Sequence, residues 1–241
     1  MADPIFQRYD TAAGRAFDRG YFDEGLRQHM LRVYNYMGGG LVVTGLVALL
    51  VASSPAMLQA IFGTPLKWVA MLAPLAFVMV LSFGINRLSF ASAQAIFWAY
   101  CAAMGLSMAS IFLVFTGSSI ALTFFVTAAT FLSMSLWGYT TKRDLSGMGS
   151  FLIMGLIGIL IASLVNIFFA SSALQFAISV LGVLIFTGLT AYDTQRIKEE
   201  YAEGYDREST GKLALMGALT LYLDFINLFQ FMLSFLGQRD E

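Results

Sequence analysis

Apolar runs of about twenty residues follow one another along nearly the whole chain after residue 33. A helix of roughly 20 apolar residues is long enough to cross the hydrocarbon core of a bilayer. Only 12% of the 241 residues are charged, about half of the roughly 25% that is usual in soluble domains. These runs predict an all-α integral membrane protein with seven transmembrane helices, at Tyr34–Ala52, Leu66–Ile85, Ala93–Phe115, Ser119–Tyr139, Ser150–Ala170, Ala173–Thr194 and Leu213–Leu236.

The flanking segments are short. We expect one membrane domain over residues 34–237, an N-terminal tail over residues 1–33 and a short outer C-terminal tail over residues 238–241. The N-terminal tail places apolar residues at near-helical spacing between charged ones, which is typical of an amphipathic helix on the membrane surface. An ordinary solvated tail fits the same pattern. The tail lacks the uninterrupted apolar core of a cleavable signal peptide, so the first spanning helix is expected to direct insertion.

The basic residues indicate the orientation. If the N-terminus lies in the cytoplasm, all but two of the 14 Lys and Arg residues fall in inner segments, and only Lys67 and Arg239 lie outside. Cytoplasmic loops carry such an excess of positive charge. We therefore expect a multi-pass membrane protein with a cytoplasmic N-terminus and an outer C-terminus. A six-helix alternative with a re-entrant last run ranks second, because that run is long enough to span.

Composition excludes several classes of function. The net charge of −1 supplies no positive field for nucleic acid. One cysteine and one histidine make zinc and copper sites, which usually need several such ligands, improbable. No nucleophile and base are paired in the pattern of a hydrolase, and we do not expect an enzyme or a bound cofactor.

Asp224 interrupts the last apolar run. A carboxylate at that depth costs several kcal/mol unless it is protonated, paired or wetted, and such groups are usually functional. Thr220, Asp224 and Asn227 stand at i, i+4 and i+7, on one helix face. Asp193 closes the preceding run, on a similar stripe with Thr190. The simpler alternatives are a permanently protonated Asp224 that donates one interhelical hydrogen bond, and an Asp193 in ordinary contact with water.

A pair of acids would have distinct chemistry. Two neighbouring carboxylates in a low-dielectric site resist double ionisation and share one proton, so Asp193 and Asp224 would sense pH. Their oxygens also suit Ca²⁺. Arg87 is a candidate counter-charge that latches Asp193, although it could instead reach lipid headgroups. Straight helices leave the two acids roughly 10 Å apart in depth, a gap that tilt, a helix break or an offset last helix would have to close.

Three stretches resemble a known family. Gly188–Ile197 (GLTAYDTQRI) and Gly217–Phe229 (GALTLYLDFINLF) closely resemble motifs of the transmembrane Bax inhibitor family, and Gly138–Ser146 (GYTTKRDLS) looks like its bacterial members. The resemblance implies seven helices with the last one central, in the bacterial inner membrane. It also implies a pH-sensitive Ca²⁺ leak governed by two aspartates that match Asp193 and Asp224.

Three further points follow from the family pattern. A latching arginine on the second helix would match Arg87, through a weaker alignment. Some relatives carry an additional acid in the second helix, which Leu66–Ile85 lacks. Bacterial relatives are also associated with modulation of a membrane-bound ATP-dependent protease, so an interaction partner of such a protease is the alternative function.

Overall fold

The computed structural model describes residues 4–201 and 206–238, with side chains from residue 24 onward. This part of the chain is helical and holds no strand. Its α-helices are α1 (Pro4–Ala52), α2 (Pro55–Phe62), α3 (Leu66–Gly84), α4 (Phe90–Met108), α5 (Gly117–Thr140), α6 (Ser146–Phe169), α7 (Ser172–Glu200) and α8 (Arg207–Leu236). Seven helical segments are long and apolar enough to cross a membrane, which confirms the predicted seven-helix architecture.

The structure differs from the sequence-based expectation at the helix ends. The loop expected between Pro55 and Pro65 contains α2, which begins at Pro55 and is capped by the side chain of Ser54, in keeping with the preference for proline in the first helical turn. A 3-10 turn, Ala109–Leu113, follows α4. The amphipathic interpretation of the N-terminal tail, residues 1–33, rests in large part on residues 1–23, whose side chains lie outside the described residues, as do residues 239–241 of the C-terminal tail.

The last helix forms the core of the bundle. More than half of the apolar stretch of α8 is buried, and α8 packs against α1, α4, α5 and α7. Its fully buried side chains include Leu221, Tyr222 and Leu228. By contrast, α3 packs on α4 and α6 on α7, and both expose large apolar side chains such as Phe83 and Phe168. Exposed apolar side chains are what lipid tails solvate.

Close packing fixes the register of α7 against α8. Ser179 Oγ donates to Ser234 Oγ at 3.0 Å. Nearby, Gly182 touches the ring of Phe231 so closely that an added Cβ would lie 2.5 Å from ring atoms. Because Ser179 is seven residues into α7 and Ser234 lies two residues before the end of α8, α7 extends beyond α8 by about five residues, ~7.5 Å. This offset moves Asp224 towards the level of Asp193.

We call the end of the bundle that holds the α3–α4 turn, the α5–α6 loop, the end of α7 and the start of α8 the basic end. It contains the long polar extensions of α7 and α8. The spanning helix expected to stop at Thr194 continues to Glu200, and the one expected from Leu213 begins at Arg207. Asp193 therefore lies about two turns inside a continuous helix.

Candidate functional site

Asp224 lies on the most buried helix. Asp224 is only 4% exposed, and its Oδ2 atom has no hydrogen-bond partner among the described residues. The positions on either side, Leu223 and Phe225, are apolar. A carboxylate in this setting needs a proton or a charged partner.

Asp193 supplies the partner. The carboxyl groups of Asp193 and Asp224 lie within hydrogen-bonding reach of each other, and Asp193 is 8% exposed. Two ionised carboxylates only accept hydrogen bonds, so a bond between them requires one proton. The predicted depth gap of roughly 10 Å is wrong, because the gap assumed that the outer ends of α7 and α8 lie level.

The acids have unequal surroundings. Arg196 Nη1 lies 3.9 Å from Asp193 Oδ1 and its Nε lies 2.8 Å from Glu200 Oε1. The charged group that faces Asp224 is Asp193 itself. Asp193 is thus the member of the pair that is open to a cation, and Asp224 is the enclosed member.

Arg87 does not occupy the place that the latch hypothesis gives it. It is exposed, in the turn between α3 and α4, and no ion pair of the described residues involves it. The guanidinium beside Asp193 belongs to Arg196, which the sequence analysis did not select. The available signal was the i, i+3 spacing on one helix, at which side chains are neighbours.

The predicted supporting residues bond to their own helices. The hydroxyl group of Thr190 donates to the carbonyl of Phe186 at 2.8 Å, one turn back on the same helix. The hydroxyl group of Thr220 donates in the same way to Met216 at 3.1 Å, and the side-chain amide of Asn227 donates to Leu223 at 2.8 Å. These donors are therefore not directed at the acids. A supporting role for the three residues stays a prediction.

A chain of hydroxyl groups next to Asp193 was missed by the sequence analysis. The hydroxyl oxygens of Tyr34 and Ser135 lie 2.6 Å apart, and those of Ser135 and Thr194 lie 2.9 Å apart, so each pair shares a hydrogen bond. Thr194 donates to the carbonyl of Thr190 at 2.7 Å. The chain joins α1, α5 and α7. Serine and threonine in apolar runs carry no sequence signal for which neighbour they will face.

Gln195 fixes the α5–α6 loop to α7. Its Oε1 accepts the N–H of Leu145 at 2.9 Å, and its Nε2 donates to the carbonyl of Arg143 at 2.8 Å. Lys198 Nζ adds a bond to the carbonyl of Tyr139 at 2.9 Å. The loop is therefore held by the same helix turn that carries Asp193.

The chain is similar to known proteins along most of its length. Residues 26–241 match the sequence profile of a family described as "Inhibitor of apoptosis-promoting Bax1". The chain belongs to the Bax inhibitor-1 family. An uncharacterized protein of Rickettsia prowazekii, RP147, is 48% identical over 220 residues, which cover 91% of this chain and 93% of the relative. The inner membrane protein YbhL of Escherichia coli K12 is 48% identical over 218 residues, which cover 89% and 93%.

The family assignment confirms the resemblance seen in the sequence. Together with the seven apolar helices, the similarity to an inner membrane protein indicates a multi-pass inner-membrane protein. Within this Bax inhibitor-1 family protein, the two motifs that carry the resemblance lie on α7 and α8, and their aspartates face each other.

The described part of this Bax inhibitor-1 family protein holds no group of three or more His, Cys, Asp or Glu residues arranged to bind a metal ion. Ca²⁺ takes 6 to 8 oxygen ligands when it is held in a closed site. The predicted Ca²⁺ contact at Asp193 and Asp224 stays a prediction.

Proposed function

We propose that the protein is a pH-sensitive Ca²⁺ leak channel of the bacterial inner membrane, in which the protonation of Asp193 and Asp224 sets how tightly α7 packs on α8. The observation that carries the proposal is the pair itself, in which an enclosed carboxyl with an unpartnered oxygen faces a second carboxyl. No enzymatic step is involved.

The charge on the pair couples protonation to packing. With one proton the two groups form a hydrogen bond and carry one negative charge, which Arg196 faces from 3.9 Å. Without that proton, two like charges confront each other where water is scarce and screening is weak. The repulsion acts directly across the contact between α7 and the central helix. A change of proton count therefore changes the force between the two helices.

The orientation belongs to the same proposal. The basic end carries Lys142, Arg143, Arg196 and Lys198, and positive charge is retained on the cytoplasmic side. We therefore place the N-terminus and the basic end in the cytoplasm. Asp193 then lies towards the cytoplasmic mouth and Asp224 deeper in the membrane, so both oxygen groups lie along one route for the ion.

Reconstituted protein tests the proposal. Purified protein in liposomes that contain a Ca²⁺-sensitive dye is expected to leak Ca²⁺ at a rate that varies across a pH series from mildly acidic to mildly alkaline. Asp224→Asn keeps the shape of the side chain and removes its titration, so its leak is expected not to respond to pH. Glu199→Gln is the matched control, because Glu199 is an exposed acid near the end of α7. A wild-type pH response in Asp224→Asn would reject the role of the pair.

The alternative is restraint of a membrane-bound ATP-dependent protease. The observation in its favour is the α5–α6 loop, which presents exposed Lys142 and Arg143 on a backbone that Gln195 holds in place. A stoichiometric protease that co-purifies from native membranes, combined with no Ca²⁺ flux in liposomes, would favour this function over the leak. Loss of that partner on Lys142→Glu would assign the contact to the loop.

A further inference from the structure

A cavity of about 660 Å³ opens at the basic end, among α1, α4 and α8. Its walls include Arg32 and Tyr36 from α1, Ser89 and Phe90 at the start of α4, and Arg207 and Glu208 at the start of α8. We propose that this cavity is a binding site for a phosphate group, either the headgroup of a phospholipid or a free phosphate ester. The volume is within the range of roughly 300–1,000 Å³ that is usual for small-ligand pockets.

Two arginines from different helices supply the charge. Arg32 and Arg207 are both exposed, and the ion pairs of the described residues involve neither of them. A guanidinium group presents paired N–H donors that match the oxygens of a phosphate, so it is the preferred side chain for this ligand. Two such groups on the walls of one cavity, with no ion-pair partner in the part of the chain that the structure describes, favour an anion.

The negative charge of Glu208, the acid on the cavity wall, is already paired with a lysine. Glu208 Oε1 lies 2.9 Å from Lys212 Nζ, and its carboxylate faces the backbone N–H of Phe90. Glu208 therefore leaves the charge of the two arginines largely uncancelled. It also uses the N–H group at the start of α4, so the arginines rather than that helix terminus would carry recognition.

Tyr36 adds a neutral donor. Its hydroxyl oxygen accepts a hydrogen bond from Gln94 Nε2 at 3.3 Å, which leaves its own proton available to a ligand. Arg87 lies in the turn two residues before Ser89 and is not among the residues that line the cavity. The residue that does not latch Asp193 here thus lies in the turn that leads to the cavity.

The position of the cavity indicates what a ligand would do. It lies where α4 and α8 begin, beside the Arg32 turn of α1, and basic pockets between the ends of spanning helices are where lipid headgroups bind. A phosphate held by Arg32 and Arg207 would tie α1 to the start of the central helix, at a site separate from the aspartate pair. Phosphate binding at this cavity would not require Ca²⁺ conduction.

Binding is measured with two probes on delipidated protein in detergent. Native mass spectrometry counts bound phosphatidylglycerol, with diacylglycerol as the lipid that lacks phosphate. The shift in melting temperature reports inorganic phosphate. Arg32→Gln and Arg207→Gln are each expected to weaken binding about tenfold, which is the typical consequence of losing one charged hydrogen bond. Arg143→Gln removes the same charge from an exposed residue of the α5–α6 loop and is expected to bind as wild type does.

The probes separate the two sources. Arginine-dependent binding of phosphatidylglycerol without binding of inorganic phosphate assigns the site to lipid headgroups, and arginine-dependent binding of both extends it to free phosphate esters. Both arginine side chains are exposed, so the variants are expected to fold, and an unchanged melting temperature without ligand verifies this. The proposal is overturned if neither probe binds, or if Arg32→Gln and Arg207→Gln bind like Arg143→Gln.

Discussion

At the scale of single residues, the site depends on how differently two chemically identical groups are placed. Asp224 is enclosed by the central helix and its neighbours, whereas Asp193 faces both Asp224 and the Arg196 guanidinium. A proton that enters or leaves the pair therefore changes the charge balance at Arg196 as well. This makes Arg196, rather than Arg87, the basic residue whose removal should matter in this conformation.

Arg196→Gln is expected to move the midpoint of the pH-dependent leak to higher pH. The cation 3.9 Å away favours the ionised form of Asp193, so without it the pair keeps its proton to higher pH. The shift is expected to be modest, because 55% of the Arg196 side chain is exposed and solvent screens exposed ion pairs.

Arg87→Gln is the matched comparison in the same liposome assay. It removes an exposed arginine that has no ion pair among the described residues, and its midpoint is expected to stay at the wild-type value. A shift in Arg87→Gln without one in Arg196→Gln would instead support the latch that the family resemblance implies.

At the scale of helices, the contact between α7 and α8 depends on small residues. Gly182→Leu is expected to lower the free energy of unfolding by about 1–3 kcal/mol, the usual cost of overpacking, because a Cβ there lies 2.5 Å from the Phe231 ring. Thermal unfolding in detergent measures the change.

Gly158→Leu is the control for that substitution. Gly158 lies on the exposed face of α6, and a Cβ added there meets nothing within 4 Å. This variant is expected to be at least as stable as wild type, since glycine lowers helix stability. Equal losses in both variants would mean that the α7–α8 contact tolerates the extra volume.

The start of α8 has a pH-dependent cap. The Asp206 carboxylate accepts the N–H of Ser209 at 3.3 Å, and its hydrogen bonds to Ser209 lower the pKa of Asp206. A lowered pKa means that the cap persists at pH values where an ordinary aspartate already takes up a proton. It is lost as the pH falls through the pKa of the folded state.

Hydrogen exchange at the Ser209 amide, corrected for its intrinsic pH dependence, is expected to show protection that disappears at a lower pH than the one at which an ordinary aspartate is protonated. In Asp206→Asn the side chain still caps the helix but does not titrate, so protection is expected at every pH. Protection in wild type that is equally insensitive to acid would contradict the assigned cap.

The helices and the site differ in how far the sequence determines them. Seven spans follow from apolar length alone, because lipid enforces both composition and length. The eight-residue α2 does not, since it is too short for a periodic signal. The contact between Asp193 and Asp224 could not be predicted without the register of α7 against α8. That register is fixed by contacts such as the one between Gly182 and Phe231. Side-chain direction decided the rest, because Thr190, Thr220 and Asn227 turn to their own backbones.

At the scale of the whole molecule, the orientation in the membrane can be read with single cysteines. The native Cys101 is buried and is expected to react little. Ser118→Cys and Ser146→Cys place exposed thiols at opposite ends of the bundle. In intact cells a membrane-impermeant thiol reagent is expected to label Ser118→Cys and not Ser146→Cys, and to label both once the membrane is permeabilised. Labelling of Ser146→Cys alone in intact cells would invert the proposed topology.

The burial of α8 has a consequence for how the bundle is assembled. Its apolar stretch has the lowest mean hydropathy of the seven, 1.5, whereas the lipid-facing α6 reaches 2.6. The ribosome synthesises α8 after the other six spans, so six helices can enter the bilayer before the segment around which most of them pack exists. A nascent chain that stops short of α8 has no centre, and quality-control proteases would meet six loosely associated spans. The bundle can therefore assemble around its centre only after α8 has been synthesised.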